Sequence, residues 1–560
     1  MYSASQLLAL GVSLAICAAA VFYADFLADL FPTQEASLSV VEQQQMLASM
    51  VFHATKSGDA AANGADKEAR EPPRLAFCCS ADLDVAVPAV ELMQSVQEVE
   101  RQHLQKKNKK NKGFNKAGKS SEGLIKRHHE RIGSLMELQE SFSYYFSSGA
   151  AAEQSMLSPE QFREVVALAD ALPGVKRKVG GNAAVMAERA SAEGCVVLLG
   201  AAIGKEMKPY FVDPTIQLVG HLEEHQHDDV HLVLEYSSGD EFRGHKSPRA
   251  NRYYLNHDVH NARLSVLEEF EQSLDTFKPD LVVFGGLQLM EVETDERERL
   301  MRLKALSEVL QNLFLAQTPT HYEFAAVSDF SLFDDTVRLV LPWVDSIGLN
   351  EQELYILHHY LVSGEEGTAT TSRPTVAEIS SQLHDIIQFA SKAKKNFQSS
   401  GQDKDANKES VALAQLSRIH FHTLQFHIVC QKEGSMWEDP TTALVQSALM
   451  SSKVACGKPP APGASDDSDK PKPMRTSAEM EVDPERIEIL LARQQILSKR
   501  QGLKVDLDPF SPVVTWQEAD FQCHLVPMMA CKKPDHTAGL GDNISGTGVA
   551  YHRIQKKSEA

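Results

Sequence analysis

Short apolar runs, each closed by glycine or an acid, recur along the chain and limit what it can fold into. Arg74-Leu75-Ala76-Phe77-Cys78-Cys79 leads to Asp82 and Asp84; Val196-Val197-Leu198-Leu199 ends at Gly200; Leu281-Val282-Val283-Phe284 ends at Gly285-Gly286. Each run is too short for a buried helix and is separated from the next by helix-length stretches, the pattern of a mainly parallel sheet wrapped by helices. The fold class expected is therefore α/β. Open sheets of this kind bind ligands beyond the carboxyl ends of their strands. Residues Arg74 to Val85 read as one buried strand closed by two acids, with Asp84 able to accept hydrogen bonds from hydroxyls or simply to cap a loop. His231-Leu232-Val233-Leu234-Glu235-Tyr236 alternates as a half-buried strand does, and Glu323 stands at the end of another.

Several turns between these elements have the shape of ligand sites. In Gly539-Leu540-Gly541-Asp542, which follows Thr537-Ala538, two glycines allow a tight turn, an acid follows, and the next residues can begin a helix. Such a turn directs several N–H groups and the positive end of a helix dipole at one spot, where charge on a transferring phosphoryl group could be held with Asp542 beside it as general base. An ordinary loop and helix cap fits the same residues. Gly180-Gly181-Asn182-Ala183 reads as a close-approach turn at the start of a helix, its asparagine able both to donate and to accept. Arg249 reads as a surface arginine, whereas Arg252 could clamp phosphate oxygens. Glu351 and Glu353, in Asn350-Glu351-Gln352-Glu353, cannot share a helix face; one of them could reach a magnesium ion through water, or both could be the acid-rich first turn that a helix dipole favours. Arg418-Ile419-His420-Phe421-His422-Thr423 reads as a strand with alternating histidines, and neither spacing nor companions suit zinc. Nucleophile-elbow and His-Glu-x-x-His motifs are absent from the sequence.

With 560 residues there is chain enough for one large domain with insertions or for two. A formal net charge of −20 argues against nucleic acid as a partner, since phosphates are repelled over most of such a surface. The eight cysteines are scattered, so buried thiols are expected for most, with one disulfide if the chain is luminal. Leu7 to Tyr23 is apolar or small, and residues 1–24 read as a secretory signal peptide or signal anchor, which would provide a membrane tether if retained. Residues 25–72 read as a partly helical linker, 73–556 as the folded body, and about 104–128, 395–410 and 457–483 as low-complexity surface insertions.

Taken together, Gly180-Gly181-Asn182-Ala183-Ala184, Ala250-Asn251-Arg252, Gly348-Leu349-Asn350-Glu351-Gln352-Glu353-Leu354, Arg418-Ile419-His420-Phe421-His422-Thr423 and Gly539-Leu540-Gly541-Asp542 stand in the order seen in ADP-dependent glucokinases. The chain resembles the eukaryotic type of this family from about residue 75 to 552. The resemblance implies a ribokinase-like large domain with a smaller lid, mostly within 78–290. It implies transfer of phosphate from ADP to D-glucose, giving AMP and glucose 6-phosphate with one magnesium ion. Carried over by position, Asp542 is the base, the amides of Gly539 to Gly541 hold the phosphoryl group, and Arg252 contacts phosphate. Asp84, Glu153, Gly181, Asn182 and His231 fall at the sugar, Asn350, His422 and Thr423 near the nucleotide, and Glu323, Glu353 and Asp542 at the metal. Ser80 departs from the family's asparagine, which puts sugar affinity in question. The relatives also suggest a monomer in the endoplasmic reticulum. Two alternatives are an ADP-dependent phosphofructokinase, which the acid Glu153 at the sugar site disfavours, and a catalytically silent, membrane-tethered binding protein.

Overall fold

In a computed structural model of the chain, the structure describes residues 38–63, 71–110, 126–129, 131–150, 152–223, 226–365, 367, 374–399, 411–457, 474–491, 494–498, 503–532 and 539–555. The apolar segment 1–24 lies outside them, as do Thr537 and Ala538 and most of the three insertions. Among the described residues no helix is long and apolar enough to cross a membrane.

Two sheets organise the molecule. The larger has ten strands. Ile216–His221, Val196–Ile203, Arg74–Cys78, Leu281–Gly285, Thr320–Glu323, Ser346–Leu349 and Arg418–His422 run parallel in that spatial order, and Phe426–Lys432, Phe521–Pro527 and Val514–Glu518 extend it as antiparallel strands. The strands Val196–Ile203 and Leu281–Gly285 are apolar on both faces, as suits strands covered on both sides. Leu75 and Phe77 pack with Ala183, Met186 and Ala187 of the helix Asn182–Ala192. Their neighbours Ala76 and Cys78 face the opposite way, toward Phe270 and Leu274 of the helix Leu267–Phe277.

The smaller sheet has five strands, in the order Ala152–Ser155, Asn251–Asn256, Val230–Tyr236, Asp82–Pro88 and Lys176–Gly180. Leu83, Val85, Val87, Leu232, Leu234, Tyr253 and Leu255 point to one side and form a separate core with the helices Ala89–Lys110, Leu135–Ser148 and Pro159–Asp170. Their strand neighbours necessarily point to the other side, since successive side chains alternate. That leaves Asp82, Asp84, Lys178, His231, Arg252, Tyr254 and Glu153 on a single polar face turned toward the large sheet.

Three expectations are corrected here. Arg74 to Val85 is two strands, not one: the chain leaves the large sheet after Cys78 and enters the small one at Asp82, so Asp84 lies inside a strand instead of at its end. Within the expected linker 25–72, the described residues 38–63 belong to the folded body. The helix Val40–Asn63 seats Met46 and Met50, both fully buried, in the main core beside the helix Pro440–Cys456, where Gln446 donates to the Ala54 carbonyl at 3.1 Å. The cysteines are mostly paired: Cys78–Cys79, Cys430–Cys523 and Cys456–Cys531 are disulfides, and Cys195 is a buried thiol. Sequence spacing carries no sign of the two long-range bridges because their partners meet only in the fold, Cys430 and Cys523 on adjacent antiparallel strands and Cys456 at the end of a helix beside Cys531.

If the helix Val40–Asn63 belongs to the folded body, Met50→Ala should cost about 2–5 kcal/mol in urea unfolding, as a large-to-small change in a core does; a change within about 0.5 kcal/mol, as for a surface site, would make it a linker after all.

Candidate active site

The polar face of the small sheet and the carboxyl ends of the large sheet's strands enclose a cleft of about 350 Å³. Glu323 closes the strand Thr320–Glu323, Asn350 follows Ser346–Leu349, and His422 closes Arg418–His422. Two helices point their amino ends into the same space. One begins at Asn182 behind Gly181, whose φ of 86° only glycine adopts readily; the other is Leu540–Tyr551 behind Gly539, with φ 67°. Residues encoded hundreds of positions apart therefore line one cavity: Asp84, Glu153, Gly181, Asn182, His231, Arg252, Glu323, Asn350, Glu353, His422, Gly539, Gly541 and Asp542.

Asp542 sits in the first turn of its helix, where N–H groups have no acceptor within the helix and the dipole is positive. Its Oδ1 accepts from Asn182 Nδ2 at 2.7 Å, while Asn182 Oδ1 accepts from Gln288 Nε2 at 2.9 Å. Gln288 thus fixes which way the amide faces, and the amide fixes the carboxylate. Burial pushes the Asp542 carboxyl up to about 6, partly offset by the hydrogen bond from Asn182. A carboxylate with that value is mostly ionised at neutral pH and still basic enough to take a proton.

Glu323 is held quite differently. Burial alone would raise its pKa, yet hydrogen bonds and attraction from His321 and His422 bring it down to about 2. Ser545 Oγ donates to Oε1 at 2.6 Å, His321 Nε2 lies 3.1 Å from Oε2, and His422 Nε2 lies 3.8 Å from Oε1. Glu353 is engaged at its helix start. Asn350 N and Nδ2 donate to its two oxygens at 2.8 and 2.9 Å, while Asn350 Oδ1 accepts from the Glu353 amide at 3.0 Å, a capping box. The dipole-favoured first turn is therefore present, and Glu353 faces the cleft as well. Burial pushes its carboxyl up to about 7.

On the small sheet, Asp84 lies between Lys178 and His231 on the flanking strands, with Lys178 Nζ 3.5 Å from Asp84 Oδ2. Burial raises the carboxyls of both Asp84 and Glu153. Asn256 Nδ2 donates to Glu153 Oε1 at 3.2 Å. Arg252 is on the same face, its Cζ 5.7 Å from the Tyr254 ring centre.

Two expected residues stand elsewhere. Thr423 is outside the cleft lining; its Oγ1 accepts from Gln425 N at 2.9 Å and organises the turn between two strands. Ser80 is also outside it. Its Oγ accepts from the Ala183 amide at 3.1 Å, so the serine caps the helix that presents Asn182 and does not reach for a ligand. Lys178, Tyr254, Gln288 and Asp82 line the cleft without having been singled out as site residues. For Lys178 a signal existed, since it lies two residues before Gly180 and so on the same strand face; Gln288 had none, because its role depends on Asn182 arriving from another element.

A family model described as the ADP-specific phosphofructokinase/glucokinase conserved region matches residues 73–551. The ADP-dependent glucokinase of Bos taurus is 31% identical over 435 residues, covering 76% of this chain and 78% of its own length. A probable ADP-dependent glucokinase of Caenorhabditis elegans is 29% identical over 441 residues, covering 78% of this chain and 80% of its own. Among solved structures, an ADP-dependent kinase in complex with fructose-6-phosphate and ADPbetaS superposes with a TM-score of 0.55 at 14% identity, over 92% of this chain and 98% of that one. A phosphofructokinase from Pyrococcus horikoshii OT3 with AMP gives 0.52 at 13% identity, over 86% and 97%. These two structures share the fold.

A Cβ added at Gly181 would stand 2.8 Å from Ala81 Cα, whereas one at Gly174, also at positive φ, would meet nothing within 4 Å. Gly181→Ala should therefore lose more stability in urea unfolding than Gly174→Ala, whose cost is the backbone strain of about 1–3 kcal/mol alone. Equal losses would mean that the corner is looser than drawn.

Proposed function

The chain belongs to the family of ADP-specific phosphofructokinases and glucokinases and is an ADP-dependent sugar kinase, and from that premise we propose that its acceptor is D-glucose, phosphorylated at the 6-hydroxyl with release of AMP. The observation that carries this reading is the position of Asp542: at a helix amino end, held by Asn182, in a cleft whose opposite wall is the polar sheet face. Named relatives from cattle and nematode support glucose as the sugar.

The sugar lies against Asp84, Glu153 and His231, whose carboxylate and imidazole groups pair with hydroxyls. Its 6-hydroxyl is directed at Asp542, which accepts the proton as the oxygen attacks the β-phosphorus of ADP. First-turn amides from Gly539 to Gly541 and the guanidinium of Arg252 stabilise the charge that spreads over the phosphoryl oxygens. The nucleotide lies toward Asn350 and His422. Approach of the small sheet to the large one excludes water, which would otherwise hydrolyse the donor.

Magnesium fits the donor set. Glu323, Glu353 and Asp542 offer hard oxygen ligands around the cleft, and carboxylates already engaged in one or two hydrogen bonds keep lone pairs for a metal-bound water. Bound with the diphosphate, the ion would neutralise part of its charge. Against fructose 6-phosphate as acceptor stands Glu153, an acid lining the cleft beside Asp84, whose charge would repel a second phosphate.

Entry into the secretory pathway, to the endoplasmic reticulum, is part of the same proposal. The apolar run Leu7 to Tyr23 and the Cys430–Cys523 and Cys456–Cys531 bridges support it, since such bridges persist in oxidising compartments.

Purified protein incubated with ADP, glucose and magnesium should form AMP and glucose 6-phosphate in equal amounts, with fructose 6-phosphate a far poorer acceptor; the reverse preference would overturn the glucose assignment, and no turnover with either would leave a binding protein. Asp542→Asn should lower kcat by about 10²–10⁴-fold, the range for losing a general base, with glucose binding retained. Near-normal turnover in that variant would remove Asp542 from the base role.

A further inference from the structure

At the deep end of the polar sheet face, three donors converge that the phosphoryl-transfer chemistry does not use together. One carboxylate oxygen from each of Asp82 and Asp84 and a ring nitrogen of His231 all lie within 4.8 Å of one another, and all three side chains are buried. The sheet makes this arrangement unavoidable. Asp82 and Asp84 are two apart on one strand and so share a face, and His231 is the direct partner of Asp84 on the next strand.

Asp82 points to an occupant. It has no solvent exposure, and neither of its carboxylate oxygens has a hydrogen-bond partner. His231 Nδ1 stands 3.5 Å from Oδ2. A buried carboxylate left in this state is costly unless something positive reaches it. Gly180 is the direct neighbour of Asp82 across the sheet, and a Cβ there would collide with Asp82 Oδ1, so the glycine is what lets the two carboxylates lie side by side.

His231 is oriented as a metal ligand would be. Its Nε2 is tied to Asp258 Oδ1 at 2.9 Å, which leaves Nδ1 facing Asp82. Asp258 is steadied in turn by Asn261 Nδ2 at 3.1 Å, and Asn261 is fixed to the Ala81 carbonyl at 3.0 Å. A carboxylate behind a histidine fixes the ring and raises its basicity toward a metal.

We infer that Asp82, Asp84 and His231 form a binding site for a borderline transition-metal dication, for which Zn²⁺ is the probe, inside the sugar end of the cleft. One imidazole and two carboxylates suit Zn²⁺ or Mn²⁺ better than Mg²⁺, and three protein ligands leave a coordination position open to the cleft. Lys178 is the built-in competitor: its ammonium lies 3.5 Å from Asp84 and must swing aside, which a half-exposed lysine can do. Glu153 adds negative charge on the same face and Arg252 opposes it. Because Asp84 and His231 are also the residues assigned to glucose, metal and sugar exclude one another; that second half rests on the proposed function, and the first does not.

The test is zinc binding to the full chain after chelation, without sugar or nucleotide and with millimolar magnesium, read by competition with a chromophoric chelator. One tight site per chain is expected, weakened about 10–100-fold by Asp258→Asn, the loss typical of disturbing a metal's supporting shell, and at least as much by Asp82→Asn, which alters a ligand itself. Unchanged affinity in both variants, or ready displacement by magnesium, overturns the site. Should either variant fail to fold, zinc-soaked crystals of the unaltered protein decide: an anomalous peak between Asp82, Asp84 and His231 supports the site, and peaks on surface histidines alone overturn it. Adding glucose should release the zinc. Retention of zinc by protein that turns glucose over would overturn the shared site, whereas protein that binds zinc but lacks kinase activity would fail the functional reading and leave the metal site standing.

Discussion

The hydrogen bond from Asn182 to Asp542 is the interaction on which the site depends. It joins the first turns of two helices whose sequences lie 360 residues apart, and it does so at the point where the dipoles of both helices favour negative charge. Each helix start exists because a glycine at positive φ turns the chain sharply before it. Asp542 is consequently buried and yet held ionisable, with a pKa near 6. Without the amide, the same burial would favour the protonated, inert form more strongly.

The other carboxylates divide the labour by environment. Glu323, beside His321 and His422, stays charged through the whole neutral range, whereas Glu353 is drawn into the cap of its own helix. Across the cleft, the small sheet solves a separate problem. Its strands are apolar on one side to make a core and polar on the other to make a wall, so one period-two pattern supplies both stability and ligand contacts. The small sheet therefore lines the cleft while carrying its own hydrophobic core.

Much of this was legible in the residues. Glycine turns such as Gly180-Gly181-Asn182 and Gly539-Leu540-Gly541 mark helix starts whatever surrounds them, and the segments leading to Gly200, Gly285 and Glu323 are parallel strands of the large sheet, the first of them running on to Ile203. Local chemistry could not report what depends on distant partners. The run from Arg74 to Val85 contains no proline or glycine, so nothing in it announces that the chain changes sheets near Ser80. Thr423 resembles a nucleotide contact in sequence, but its hydroxyl serves the turn it sits in. Gln288 and Asp82 acquire their meaning only from Asn182 and His231, which other elements deliver.

The central claim is that the polar sheet face and the two helix starts act on one sugar. The most direct measurement is a crystal structure with glucose and AMP bound together. The account predicts the sugar ring against Asp84, Glu153 and His231 with its 6-hydroxyl within hydrogen-bonding distance, about 2.6–3.2 Å, of the Asp542 carboxylate. Glucose bound elsewhere, or with its 6-hydroxyl turned away from Asp542, would contradict it.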